Sequence, residues 1–222
     1  MTFLNREDAG RRLARLLVGH EGGETWVLGL PRGGVVVAYE VARTLGAPLD
    51  VWMVRKIGAP FQPELGMGAI AEGGGMSLDP RVIQMVGATE EEVAEVARSS
   101  AHELERRIRV FREGRPKPDV KGRTVIVVDD GIATGGTVRA AVRAIKRFGP
   151  RRVVLAVPVA AVEALELLAP EVDQVVCAAP VEDLIAVGTW YQHFEQTTDD
   201  QVVALLEANR RERAEALQPP SA

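Results

Sequence analysis

The run Val125-Ile126-Val127-Val128 ends directly in Asp129-Asp130, and Gly131-Ile132-Ala133-Thr134-Gly135-Gly136-Thr137 follows before an amphipathic stretch begins. Four β-branched residues in a row, with no alternation, describe a strand buried on both faces, as in a parallel sheet. Val138, Ala141, Val142 and Ile145 are spaced for one face of a helix over 137–148, and Gly149-Pro150 stops it. The apolar run 153–157 reads as the next strand. Strand, helix and strand at this spacing form a βαβ unit with a right-handed crossover. The expected class is therefore α/β, with an open, mainly parallel twisted sheet flanked by helices.

The rest of the chain extends that pattern. Residues 26–30 are a short apolar strand ending in Pro31-Arg32-Gly33-Gly34, and a helix over 35–45 follows and stops near Gly46. Residues 51–54 read as a second strand ending at Arg55-Lys56, and residues 172–177 as a last one. Residues 89–112 form a long amphipathic helix with capping-box spacing between Thr89 and Glu92. Its buried face is marked by Val93, Val96, Ala97, Ala101, Leu104, Ile108 and Phe111. Glu103 and Glu105 precede Arg107 and Arg109 by four residues, so the basic face reads as solvated and salt-bridged. Residues 218–222 look like a frayed tail.

Charge and composition exclude several function classes. The chain has 27 Lys+Arg against 31 Asp+Glu, a net charge of −4. That balance argues against a nucleic-acid binder working by neutralising phosphates. No apolar run reaches the ~20 residues that span a bilayer. The start of the chain is charged and helix-like rather than a signal peptide, so a cytoplasmic protein is expected. The lone Cys177 excludes an intramolecular disulfide framework and reads as a buried, inert thiol. His20, His102 and His193 have no metal-ligand spacing, and no Ser/His/Asp set is legible. A homodimer is the default expectation from symmetry.

The chemistry lies at the corner after residue 128. In open parallel sheets, ligands sit beyond the carboxyl ends of strands. Free N–H groups at the helix start, with the hydroxyls of Thr134 and Thr137, suit a phosphate monoester. Gly135 and Gly136 allow close backbone approach. Two carboxylates would repel a bare phosphate, but they suit a sugar with neighbouring hydroxyls because ionised carboxylates only accept. The corner is thus shaped for a sugar phosphate. A P-loop would need Lys before the Ser/Thr that opens the helix, and Gly-x-Gly-x-x-Gly follows none of the expected strands.

The segment 125–137 resembles the phosphoribosyl pyrophosphate (PRPP) motif of the type I phosphoribosyltransferases: a hydrophobic strand, an acidic pair, then Thr-Gly-x-Thr. Gly131 departs from the family, which usually has a bulkier apolar residue there. The resemblance implies one phosphoribosyltransferase-like domain over 1–222 and a PRPP site. In it Asp129 and Asp130 bind the ribose hydroxyls, and Ala133, Thr134, Gly135, Gly136 and Thr137 cradle the 5′-phosphate. Leu30-Pro31-Arg32-Gly33-Gly34 is similar to the family's pyrophosphate loop, which places Arg32, Gly33 and Gly34 at the pyrophosphate. Arg55 and Lys56 would add positive charge for the leaving group, Lys56 as a catalytic residue beside the two aspartates. Mg²⁺ would be bound mainly through PRPP, with no protein metal site.

The same resemblance makes 58–75 a flap over the site and 73–115 an insertion, so that 58–115 holds the flap and the inserted helix. Residues 180–198 would form a hood, with Ile185, Val187, Trp190 and Tyr191 against the acceptor, although Trp190, Tyr191 and Phe194 suit a core or dimer interface equally well. That segment is similar to the base-binding hood of the hypoxanthine–guanine members. Those members carry an acid where this chain has Ala133, which counts against purine salvage by their route.

The implied function is transfer of the phosphoribosyl group of PRPP to a nitrogenous base, with no nucleic-acid or membrane partner. A non-catalytic PRPP- or nucleotide-sensing protein is the alternative. A phosphotransferase using Asp129 as nucleophile is a third reading that nothing else in the sequence requires.

Overall fold

The structure is a computed structural model that describes residues 2–20 and 24–216. The expected tail at 218–222 lies outside the described residues. A parallel sheet of five strands forms the centre: β1 (Thr25–Gly29), β2 (Leu49–Val51), β6 (Thr124–Val128), β7 (Arg152–Ala161) and β8 (Gln174–Val181). They lie side by side in the order β2-β1-β6-β7-β8.

Burial on both faces explains the unbroken β-branched run of β6. Ile126 and Val128 pack into one core layer, and Val125 and Val127 into the other. The first layer is closed by α1 (Arg6–Leu16), α2 (Gly33–Leu45) and α7 (Asp199–Ala216), through residues such as Leu13, Val37, Val41, Val202 and Leu206. The second is closed by α5 (Gly136–Lys146) and α6 (Val162–Leu168), through Val138, Val142, Ile145 and Leu168. Cys177 is half-buried, and burial pushes its thiol pKa up.

A second, antiparallel sheet holds β3 (Val54–Ala59), β4 (Gln62–Ala71) and β5 (Gly75–Leu78). Here the structure corrects the expected strand over 51–54. Parallel pairing with β1 ends at Val51, and Val54 already pairs with Ala71 of β4. One apolar run thus serves two sheets, broken at Trp52-Met53. Arg55 and Lys56 consequently lie on the outer sheet, not at the end of a central strand.

The stretch between β5 and β6 contains α3 (Pro80–Val86) and α4 (Glu90–Arg112). Helix α4 has the expected capping box, with Glu92 N–H on Thr89 Oγ1 at 3.2 Å and Thr89 N–H on Glu92 Oε2 at 2.8 Å. Arg112 anchors its far end. It is 3 % exposed, lies 3.2 Å from Asp50 Oδ1, pairs with Glu72, and donates to Val51 O at 2.8 Å. That network ties α4 to the edge of the central sheet and to the β4–β5 turn. No helix among the described residues is long and apolar enough to cross a membrane.

Candidate active site

Strand order places the site. From β1 the chain crosses by α2 to β2 on one side, while β6 pairs with the other side of β1 and leads by α5 to β7. The carboxyl ends of β1 and β6 therefore flank the topological switch point, where open α/β sheets leave a crevice for ligands. The two loops singled out in the sequence leave from these ends.

The loops interlock. A Cβ on Gly34 would lie 2.9 Å from Asp129 Cα and from Val128 O, and one on Gly33 would collide with the Asp130 carboxylate. Only residues without side chains let the start of α2 approach the aspartates so closely. Arg32 stands just before the helix and reaches Asp199 Oδ1, at the start of α7, at 3.6 Å.

Beyond the aspartates, the loop is fixed to β7 by Ile132 N–H on Val159 O at 3.0 Å and Ala161 N–H on Ile132 O at 2.9 Å. Ala133, Thr134, Gly136 and Thr137 stay exposed. Gly135 takes the left-handed conformation, φ 76°, that starts α5 without a side-chain cap. Arg139 N–H is bonded back to Gly135 O at 2.9 Å, so the amides of residues 136–138 stand ahead of that bond in the helix's first turn. The result is a cluster of donors at the positive end of a helix dipole, suited to a phosphate.

The acidic pair has its own electrostatics. Asp129 Oδ1 accepts from Asp130 N–H at 2.9 Å, and Asp130 Oδ2 accepts from Arg6 Nε at 2.7 Å. Burial, then the adjacent Asp130 charge, hold the Asp129 carboxyl well above the usual carboxylate range, and Arg6 opposes that rise. Arg6 was invisible to sequence reasoning: its partner lies 124 residues away, and it sits in an ordinary charged helix start.

The expected acceptor residues separate. Ile185 is 94 % exposed, and Trp190 is half-buried against the cluster around Phe3 and Tyr191. Val187 presses on Gly131, where a Cβ would overlap it. That contact explains the small residue at the position where the resembling family has a bulkier one. Tyr191 requires correction as a base-facing residue. It is 6 % exposed, packed between Phe3 and Phe194, with its hydroxyl donating to Asp130 O at 2.5 Å. Its ring supports the loop after β6, because an aromatic with one polar tip buries well where that tip finds an acceptor.

Arg55 and Lys56 do not contact these loops in the structure. Arg55 lies 4.0 Å from Glu103 of α4, and Lys56 donates to Glu64 O within the outer sheet. A cavity of about 530 Å³ opens between α1, α7 and residues 193–197; Arg6 is part of its lining, and neither aspartate is. Among the described residues no group of three His, Cys, Asp or Glu side chains is arranged to hold a metal ion.

Comparison with known proteins identifies the family. The phosphoribosyl transferase domain profile matches residues 3–176. A Mycobacterium tuberculosis protein provisionally named a phosphoribosyl transferase is 47 % identical over 214 residues, which are 96 % of this chain and 48 % of that protein. The chain thus spans about half the length of these Mycobacterium tuberculosis relatives. A uracil phosphoribosyltransferase of Lactobacillus gasseri is 29 % identical over 182 residues, 78 % of each chain. The crystal structure of a Thermus thermophilus protein has a TM-score of 0.78 at 45 % identity, covering 93 % of this chain and 98 % of that one. A purine phosphoribosyltransferase from Pyrococcus horikoshii, at 16 % identity and TM-score 0.51, covers 89 % and 95 % and shares the fold.

Proposed function

The chain belongs to the phosphoribosyl transferase domain family, and from that premise we propose that it transfers the 5-phosphoribosyl group of PRPP to a nitrogenous base, releasing pyrophosphate. The observation that supports this most is the interlock at the switch point: Gly33 and Gly34 lie against Asp130 and Asp129, beside the uncapped start of α5. One pocket edge offers amides to a phosphate, the next offers carboxylates to hydroxyls, and the third offers a second loop with Arg32.

In this reading the 5′-phosphate binds the amides and hydroxyls of residues 133–137. Asp129 and Asp130 accept from the ribose hydroxyls and favour the positive charge that builds on the ring as the C1–oxygen bond to pyrophosphate breaks. The bond from C1 to the acceptor nitrogen forms, and the acceptor's proton leaves to solvent. Arg32 and the Gly33-Gly34 backbone stabilise the leaving pyrophosphate. Arg55 and Lys56 add positive charge for the leaving group, and closure of the flap over 58–75 keeps water from C1. Mg²⁺ would enter with PRPP as part of the substrate, held by substrate and water rather than by protein side chains, and would supply positive charge to the leaving diphosphate. Val187 and Trp190 border the acceptor from the hood, and Ile185 supplies the exposed apolar surface that can close on it.

The test is pyrophosphate release from Mg·PRPP over a panel of purines, pyrimidines and other nitrogen nucleophiles. Release that depends on one acceptor class, and is lost in Asp130→Asn, is the expected result. PRPP bound tightly with no turnover of any nucleophile overturns the catalytic reading.

A further inference from the structure

We infer that Arg6, on the first helix, is a positioning residue for the sugar: it pins one oxygen of the Asp130 carboxylate so that the other is presented to the ribose hydroxyls. The inference rests on the reading of Asp130 as a ribose ligand and adds a residue to it.

Three contacts fix the guanidinium. Its Nε donates to Asp130 Oδ2 at 2.7 Å, its Nη1 donates to Glu195 O at 2.7 Å, and its Cζ lies 3.8 Å from the centre of the Phe194 ring. The Arg6 and Asp130 side chains are only 11 % and 17 % exposed. An arginine held by a carboxylate, a carbonyl and an aromatic face has little freedom to swing, and its planar fork sets the angle of the bond it donates. Asp130 is held at its other end too, by the Tyr191 hydroxyl on its carbonyl at 2.5 Å. Position 33 completes the arrangement, because a Cβ there would strike both Asp130 Oδ2 and, at 2.6 Å, Arg6 Nε. Two segments are therefore shaped around the Asp130 carboxylate, and a third holds its backbone carbonyl. Asp129 and Arg6 are the charged groups facing it. Arg6 supplies positive charge that offsets the repulsion between two adjacent carboxylates while they wait for neutral hydroxyls.

A residue that positions Asp130 affects ligands with sugar hydroxyls and spares those without. Calorimetric titrations of the whole chain with ribose 5-phosphate, inorganic phosphate and magnesium pyrophosphate separate these cases. We expect Arg6→Gln to weaken ribose 5-phosphate roughly tenfold and to leave phosphate and pyrophosphate within about twofold. Arg6→Lys, which keeps the charge and loses the fork, should recover part of the loss. Arg6→Gln added to Asp130→Asn should weaken binding no further than Asp130→Asn alone. If Arg6→Gln does not fold, Arg6→Lys carries the test alone, with a smaller loss for ribose 5-phosphate and none for phosphate or pyrophosphate. Unchanged ribose 5-phosphate affinity in Arg6→Gln, while Asp130→Asn weakens it, removes this inference alone. An equal loss for pyrophosphate also removes it, since Arg6 would then serve another ligand or the fold at large. A wild-type chain that ignores ribose 5-phosphate removes the underlying reading together with it.

Discussion

A Gly131→Ala substitution probes whether the turn at Val187 is packed onto the loop after β6 as the contacts require. The new Cβ would overlap Val187 Cγ1, lie 2.8 Å from Val187 Cγ2 and 3.1 Å from Val159 Cγ1. Relaxed carbon contacts lie at about 3.5–4.0 Å, so one side must retreat. Val159 is fully buried on β7 and cannot. Val187 is half-buried in the 3₁₀ turn Val187–Trp190 and can move only by shifting that turn. Overpacking of this kind costs about 1–3 kcal/mol. For a chain of this size that lowers Tm by roughly 2–12 °C. Val187→Ala removes both offending γ carbons and by itself should cost about 1 kcal/mol. The double variant should then be more stable than the sum of the two single losses, with a coupling of about 1–2 kcal/mol. Urea unfolding of the wild type, both single variants and the double variant measures this. Additive losses, or a Gly131→Ala protein within ~0.3 kcal/mol of wild type, would refute the packing argument.

Two further perturbations follow. Arg112→Leu strips Glu72, 8 % exposed, of its charged partner and should cost about 3–5 kcal/mol, read as a Tm drop of roughly 6–20 °C. Asp129→Asn should raise stability at neutral pH, on the order of 1 kcal/mol, while weakening ribose 5-phosphate binding. The sign follows from the raised carboxyl: a group bound more tightly by protons in the folded state contributes stability below its unfolded value and loses it as pH rises through its folded value. The advantage of Asp129→Asn should therefore vanish below the ordinary aspartate range, and unfolding curves that differ equally at acid and neutral pH would contradict it.

The sequence was most readable where local pattern and burial coincide. Strand β6 and the Asp129–Thr137 corner carry a β-branched run, two carboxylates and a glycine-threonine loop in direct succession, and the structure sets them where an open sheet keeps its ligand. Helix α4 was legible because its cap and its apolar face are both local. Strand β2 was misplaced because Val51-Trp52-Met53-Val54 is a single apolar run, and only pairing partners reveal that it crosses from one sheet to another. Helix α7 gave little signal: its buried side includes Asn209, which binds Leu49 N–H at 2.9 Å and Ala47 O at 3.3 Å, so the apolar stripe is interrupted by a polar residue with a structural task. Arg6, Tyr191 and the Gly131–Val187 contact depend on segments far apart in the chain, and periodicity carries no trace of them.

The most direct measurement is a crystal structure of this chain with Mg·PRPP bound. The account predicts the 5′-phosphate within hydrogen-bond reach of the amides of residues 133–137, the ribose hydroxyls on Asp129 and Asp130, and the pyrophosphate at Arg32 and Gly33. A ligand seated instead in the cavity between α1 and α7, with both aspartates still turned to their present partners, would contradict it.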